Sequence, residues 1–310
     1  MIGGASSDEA TRAVFGVTLL NQARFLPHTL ESLASQTLPT FAAVLHDDCS
    51  SDRTPEIARA RAEQDSRFHY YRSERRRGLT GSWREVFRLA RVLHPEAPYF
   101  AWASDHDLWH SDWLARMVEA LDGAPSAVLA YPQVVRIDEA GEETKGPWGF
   151  DTQGEASKLV RMRAAHRGGS KGDMVYGLFR ADALERCGVL CDELLADRLL
   201  ISEIALYGEF VQVPEVLWSR RFRKQVNLGS QRRTLFPDRP PLRSYVPWPL
   251  AHTAAIARHL VLEGRGKPQV GRLEGARAAA TYLWLGTATA LESRVRRFRL
   301  WVLRTIRRLR

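Results

Sequence analysis

The chain has 310 residues, 45% hydrophobic and 26% charged, with a formal net charge of +9; this is enough apolar material for a large folded core and excludes a disordered chain. Three cysteines, Cys49, Cys187 and Cys191, are too few for a disulfide framework and fit no common metal or redox spacing, so a reducing, cytosolic setting is expected. The longest apolar stretch, Ala278 to Leu291, has 14 residues against the ~20 that a spanning helix needs, and the first residues are small and polar, so neither an integral segment nor a signal peptide is expected.

Taken in order, Val14 to Leu20 (VFGVTLL) reads as a strand buried on both faces. Pro27 opens a helix to about Gln36 with Leu30 and Leu33 on one side. Phe41 to Leu45 is a second strand, ending in HDDCSSDRT, and Thr54-Pro55 starts a second helix, where the missing proline N–H is harmless. Phe68 to Tyr71 is a third strand, Gly81 to Leu93 a helix and Tyr99 to Ala103 a fourth strand, followed by a helix near Trp113. This alternation predicts an α/β fold with a doubly wound, mostly parallel sheet, helices on both faces and right-handed crossovers.

Two acidic loops leave the carboxyl ends of these strands, where a parallel sheet keeps its chemistry. The first holds Asp47, Asp48 and Asp52; the second, YFAWASDHDLWHSDWL, holds Asp105 and Asp107. Carboxylates at i and i+2 on a turn can face one hard cation such as Mg²⁺ or Mn²⁺, although turn and capping roles, with Asp112 before the Trp113 helix, suit such aspartates equally well. Asp52 and Thr54 read as structural, Asp47 and Asp48 as functional. No G-x-G-x-x-G follows the first strand and no Walker sequence occurs, which disfavours dehydrogenase and P-loop readings.

From Val134 to Gly172 the pattern loosens into what reads as long loops. Regular patterning returns at Met174, and the Pro-rich DRPPLRSYVPWP from Pro237 marks a boundary between residues 1–236 and a helical extension, 237–310. There His252 to Leu262 and Leu273 to Leu291 read as helices. In the last segment Leu291, Val295, Phe298, Val302, Ile306 and Leu309 recur at three- and four-residue steps, while eight arginines from 294 to 310 face only Glu292. A basic amphipathic helix with Trp301 fits a peripheral anchor on an anionic membrane surface; helix packing on a partner is the other reading, and no nucleic-acid motif accompanies the tail.

The segments VFGVTLLNQARFLPHTLESLASQT, VLHDDCSSDRT, RGLTGSWREVFRLA and YFAWASDHDLWHSDWL, in this order and spacing, resemble the GT-A nucleotide-sugar domain of inverting family-2 glycosyltransferases over roughly residues 13 to 225. The resemblance implies that Thr18, Asp47 and Asp48 hold the nucleotide base and ribose, and that Asp105 and Asp107 hold a divalent metal on the donor diphosphate; Arg75, Arg76 and Arg77, just before Gly78, read either as charge near the phosphates, with Arg76 and Gly78 as donor-binding candidates, or as a solvated basic turn. It places Ser104 and His106 where many relatives carry aspartates, and makes His106 a further candidate ligand. The stretch YGLFRADALERCGVLCDELLADRLLISEIALYGEFVQVPEVLWSRR resembles the family's acceptor half. The catalytic base there falls on Asp197, ahead of Glu193 and Glu203, and Trp148 and 167–171 fall in a region that covers the acceptor. Arg221-Phe222-Arg223 stands where relatives have R-x-H.

The expected function is therefore inverting sugar transfer from a nucleoside-diphosphate sugar to a glycan or lipid-linked acceptor, in cell-surface glycan assembly, cytoplasmic or peripheral at the inner membrane face. The competing reading is a non-catalytic nucleotide- or glycan-binding protein tethered by the basic tail. A sugar-phosphate nucleotidyltransferase is disfavoured, because no Gly-rich activation loop lies near the N-terminus.

Overall fold

The computed structural model describes residues 10–145, 149–168, 171–221 and 228–308. They divide into two compact units, Met1–Pro241 and Leu242–Arg310. In the first, β1 (Ala13–Leu19), α1 (Leu26–Ala34), β2 (Phe41–Asp47), α2 (Thr54–Gln64), β3 (Phe68–Arg72), α3 (Gly78–Leu93) and β4 (Tyr99–Ala103) alternate as expected. Then come β5 (Leu108–Trp109), α4 (Trp113–Asp122), β6 (Ala127–Ile137), β7 (Glu143–Lys145), α5 (Lys158–Arg167), α6 (Lys171–Met174), β8 (Leu178–Arg180), α7 (Ala181–Cys187), α8 (Ala196–Ile204), β9 (Glu209–Arg221) and α9 (Leu228–Leu235).

One sheet runs β3-β2-β1-β4-β8-β6-β9-β5, with β7 paired to β6. Its first half is parallel. Beyond β4 it turns mixed, because the short β8 runs antiparallel to both β4 and β6 while β6 and β9 pair in parallel. Side chains alternate across the strands. Ala13, Phe15, Val17 and Leu19 join one core layer with Trp113 and Leu114, and Val14, Phe100 and Trp102 join the other with Val86 and Phe87. Trp102 stacks on Trp83 at 5.1 Å between centroids and donates its indole N–H to the Trp83 carbonyl.

Two stretches of the structure depart from the sequence reading in their elements. The stretch from 134 contains the end of β6, β7 and the helix α5. Pro132 obscures β6, and there the β6–β9 register shifts. The basic α5 reads as loop because its anchor is an arginine: buried Arg161 donates to the carbonyls of Ala205, Glu155 and Ala156. In the second unit, α10 (Trp248–Ala257) leads into a π turn over Arg258–Leu262, and the two helices expected after Pro268 are one, α11 (Arg272–Arg308). Tyr282 of α11 hydrogen-bonds His252 at 2.7 Å.

Gly16 allows α3 to approach β1: a Cβ there would lie 2.5 Å from the Phe100 ring and 2.9 Å from Val86. Gly16→Ala is expected to cost about 1–3 kcal/mol in urea unfolding, and Phe100→Leu in the same chain to recover part of it through coupling between neighbours.

Candidate active site

A cleft of about 720 Å³ opens at the carboxyl ends of β1, β2 and β4, and is lined by four aspartates (48, 105, 107 and 197) and four arginines (76, 136, 220 and 221). Thr18, Ser104 and His106 also face it, as do Trp83 and Tyr176.

The acidic loop after β4 is fixed from several sides. Asp105 Oδ2 accepts the Leu20 N–H at 2.8 Å, and Oδ1 lies 2.7 Å from His106 Nδ1. Asp107 Oδ1 accepts the Arg221 N–H at 2.7 Å; its own N–H reaches Ser104 Oγ, and its carbonyl accepts the Thr29 hydroxyl. The Arg221 guanidinium donates to the His106 and Asp138 carbonyls. Ser104 therefore serves as a turn cap. With Nδ1 at Asp105, His106 Nε2 lies 3.9 Å from Asp107 Oδ1; carboxylate partners commonly fix the orientation of ligating imidazoles in this way. Burial pushes the Asp107 carboxyl above the usual carboxylate range, against the opposing pull of His106 and the Ser104 hydroxyl.

The first acidic loop separates into two roles. Asp48 faces the cleft, where its carboxylate accepts the N–H groups of Arg77 and Gly78 at 2.6 and 3.1 Å and pairs with Arg76 at 3.2 Å. It thereby satisfies donors at the start of α3, which begins at Gly78 and not at Gly81. Gly78 adopts φ +73°, and a Cβ there would lie 2.4 Å from the Leu235 carbonyl, so its part is to admit the α9 backbone. Asp47 does not line the cleft. It is fully buried and accepts the Ser50 N–H and the Tyr70 hydroxyl, which gives it a structural place under the loop. Asp52 and Thr54 sit as expected, Asp52 accepting the Thr54 and Ala23 N–H groups.

Across the cleft, Asp197 lies in the first turn of α8, two residues after Leu195, which holds a left-handed φ of +58°. Such a conformation costs a non-glycine residue about 1–3 kcal/mol and is common where a site must be aimed. Burial pushes the Asp197 carboxyl up, against the Arg198 N–H and the charges of Arg198 and Arg220. Glu203 is buried in α8, and neither it nor Glu193 lines the cleft. Trp148, Gly169, Ser170 and the Phe222-Arg223 pair lie outside the described residues.

Two arginines went unforeseen in the sequence. Arg136 and Arg220 are direct neighbours on the parallel pair β6 and β9, and buried Asp173 pairs with both. Arg220 also donates to the Gly172 carbonyl at 3.0 Å and lies over the rings of Tyr176 and Trp218. A Cβ on Gly172 would be 3.4 Å from Asp197 Oδ2 and 3.5 Å from Arg220 Nη1, so carboxylate and guanidinium both approach that backbone. The only sequence signal was an arginine inside each of two otherwise strand-like runs.

Residues 15–187 match the model of glycosyl transferase family 2. The fold is similar to crystal structures of S. aureus TarS, with a TM-score of 0.58, 14% identity and 87% of this chain covered, although the chain spans only 42% of that protein. TarS 1-349 in complex with UDP-GlcNAc gives 0.59 at 14% identity, covering 87% of this chain and 71% of that one. The mannosyltransferase PcManGT from Pyrobaculum calidifontis, in complex with GDP-Man and Mn²⁺, gives 0.52 at 17% identity, covering 92% and 88%. At these identities the likeness establishes a shared GT-A architecture.

An aspartate whose folded-state pKa lies above its unfolded value binds its proton more tightly when folded, so its ionisation costs stability. That cost is absent below the unfolded pKa and complete above the folded one. Asp197→Asn is expected to melt at or above the parent temperature at neutral pH, with the difference vanishing as pH falls below the ordinary carboxylate value of ~3.9, followed by calorimetry.

Proposed function

We propose, since this chain belongs to glycosyl transferase family 2, that its cleft transfers a sugar from a nucleoside-diphosphate sugar to an acceptor hydroxyl with inversion. The observation that carries this reading is the convergence of Asp48, the Asp105–Asp107 loop and Asp197, from three distant segments, on one cleft with four arginines. Thr18, Asp48 and Arg76 are assigned to the nucleotide end. Asp197 is assigned as the base that takes the acceptor proton as the hydroxyl oxygen attacks the anomeric carbon and the bond to the diphosphate breaks on the opposite side. Arg220, rigidly held by Asp173 and the two rings beneath it, is assigned to the charge that develops on the departing group.

Asp105, His106 and Asp107 are the residues that would hold a divalent cation. Among the described residues no group of three or more acidic, histidine or cysteine side chains is placed to hold a metal ion by itself. An ion carried on a diphosphate needs none, because one or two protein groups and the substrate oxygens complete its shell. When bound, the ion would neutralise negative charge on the leaving diphosphate. UDP-GlcNAc and GDP-Man with Mn²⁺, found with TarS and PcManGT respectively, support a nucleotide-sugar donor and such an ion here. The acceptor is assigned as a glycan or lipid-linked hydroxyl at the inner membrane face, in surface-glycan assembly, which the basic tail supports. A non-catalytic nucleotide binder is the second reading, favoured by the engagement of both Asp105 oxygens within the protein; it requires nucleotide binding without turnover.

The reading is tested by transfer and donor-hydrolysis assays over a panel of nucleotide sugars. Asp197→Asn is expected to lower transfer by about 10²–10⁴-fold with donor affinity retained, and Asp105→Asn to weaken donor use. In the parent enzyme, kcat/KM is expected to fall on the acid side through a pKa above the ordinary ~3.9 of aspartate, since the base must be ionised. Unchanged hydrolysis and transfer in both variants would remove the site from consideration.

A further inference from the structure

We infer that the C-terminal unit carries a docking face for an anionic bilayer: the outward stripe of α11, made by Leu273, Trp284, Leu291 and Val295, lies along the membrane surface. This deepens the membrane placement proposed above, and its test does not use the transfer reaction.

The four side chains are 68, 59, 63 and 43% exposed. At ~100° per residue their spacings of 11, 7 and 4 positions bring them to within ~40° of one another around the helix. Ala278, Tyr282 and Leu285, which are buried, fall on the opposite side, where α11 packs on α10 through the Tyr282–His252 hydrogen bond and the close approach of Gly286 to Pro249. The helix is thus apolar on two faces: one packs on α10, and the side chains of the other are 43 to 68% exposed. Of the fourteen large hydrophobic side chains exposed among the described residues, nine lie in this smaller unit. Beyond Val295 the sequence keeps its three- and four-residue apolar spacing through Phe298, Val302, Ile306 and Leu309.

Charge selects the occupant. From Leu291 to Arg310 the sequence carries eight arginines and one glutamate. A second copy paired along the stripe would bring two such clusters together at like-charge cost. A nucleic acid would satisfy the arginines and leave the leucines and Trp284 in water. A bilayer with anionic headgroups satisfies both, the apolar stripe entering the acyl boundary and the arginines meeting lipid phosphates. Among the described residues no helix is long and apolar enough to cross a membrane, so the contact lies in the surface plane.

The experiment is flotation of the full chain with vesicles of phosphatidylcholine, with and without phosphatidylglycerol. Binding is expected only with phosphatidylglycerol and to weaken as salt rises. The double variant Leu291→Glu, Val295→Glu is expected to bind at least tenfold more weakly, with parental circular dichroism and donor hydrolysis. Val92→Glu, an equally exposed change on α3, is expected to bind as the parent does. Absence of flotation, equal flotation of the double variant, or a dimer that the double variant dissolves would each overturn the inference.

Discussion

Two carboxylate-to-backbone hydrogen bonds hold this cleft in shape. Asp105 reaches across to the Leu20 N–H at the end of β1, and Asp107 to the Arg221 N–H at the end of β9. Between them they fasten the loop after β4 to strands on either side of it in the sheet. Each bond joins a carboxyl oxygen to a backbone donor, buried at Arg221 and part-buried at Leu20. The rest of the site depends on this fixed loop: His106 takes its orientation from Asp105, and Arg221 closes the loop from behind through the His106 carbonyl. Asp48 makes a comparable tie to the start of α3.

The chemistry rests on a tension between burial and charge. Burial pushes both Asp107 and Asp197 toward their neutral forms, and nearby cations pull them back. In the base role proposed for it, Asp197 would be better matched to the acceptor proton than a solvated aspartate. Arg136 and Arg220, side by side on parallel strands, would repel without Asp173, and that shared carboxylate fixes where their charge sits.

The parallel half of the sheet was legible in the sequence because β1, β2 and β4 each carry a continuous apolar run followed by a polar turn. The α3 start was misplaced by three residues because its donors are satisfied by Asp48, thirty residues away in sequence, which local pattern cannot reveal. Likewise α5 hid behind a buried arginine, and β6 behind Pro132. Asp48, Asp105, Asp107, His106 and Asp197 were all anticipated and all reach one cleft, whereas Asp47, adjacent and chemically identical to Asp48, turns inward to Tyr70. Which of two consecutive aspartates faces a ligand is decided by the strand pleat and its neighbours. Arg136 and Arg220 owe their proximity to strand register, and α11 reads as two helices only while its packing against α10 is unknown.

The most direct test of the central claim is a thermal-shift panel with UDP, GDP, dTDP and CDP, each with and without Mn²⁺. A ligand that binds only the folded chain must stabilise it, by about 2.7 kcal/mol at a hundredfold excess over Kd. The account predicts that one nucleotide raises the melting temperature in the presence of Mn²⁺ and far less without it. No shift with any nucleotide, in either condition, would contradict it.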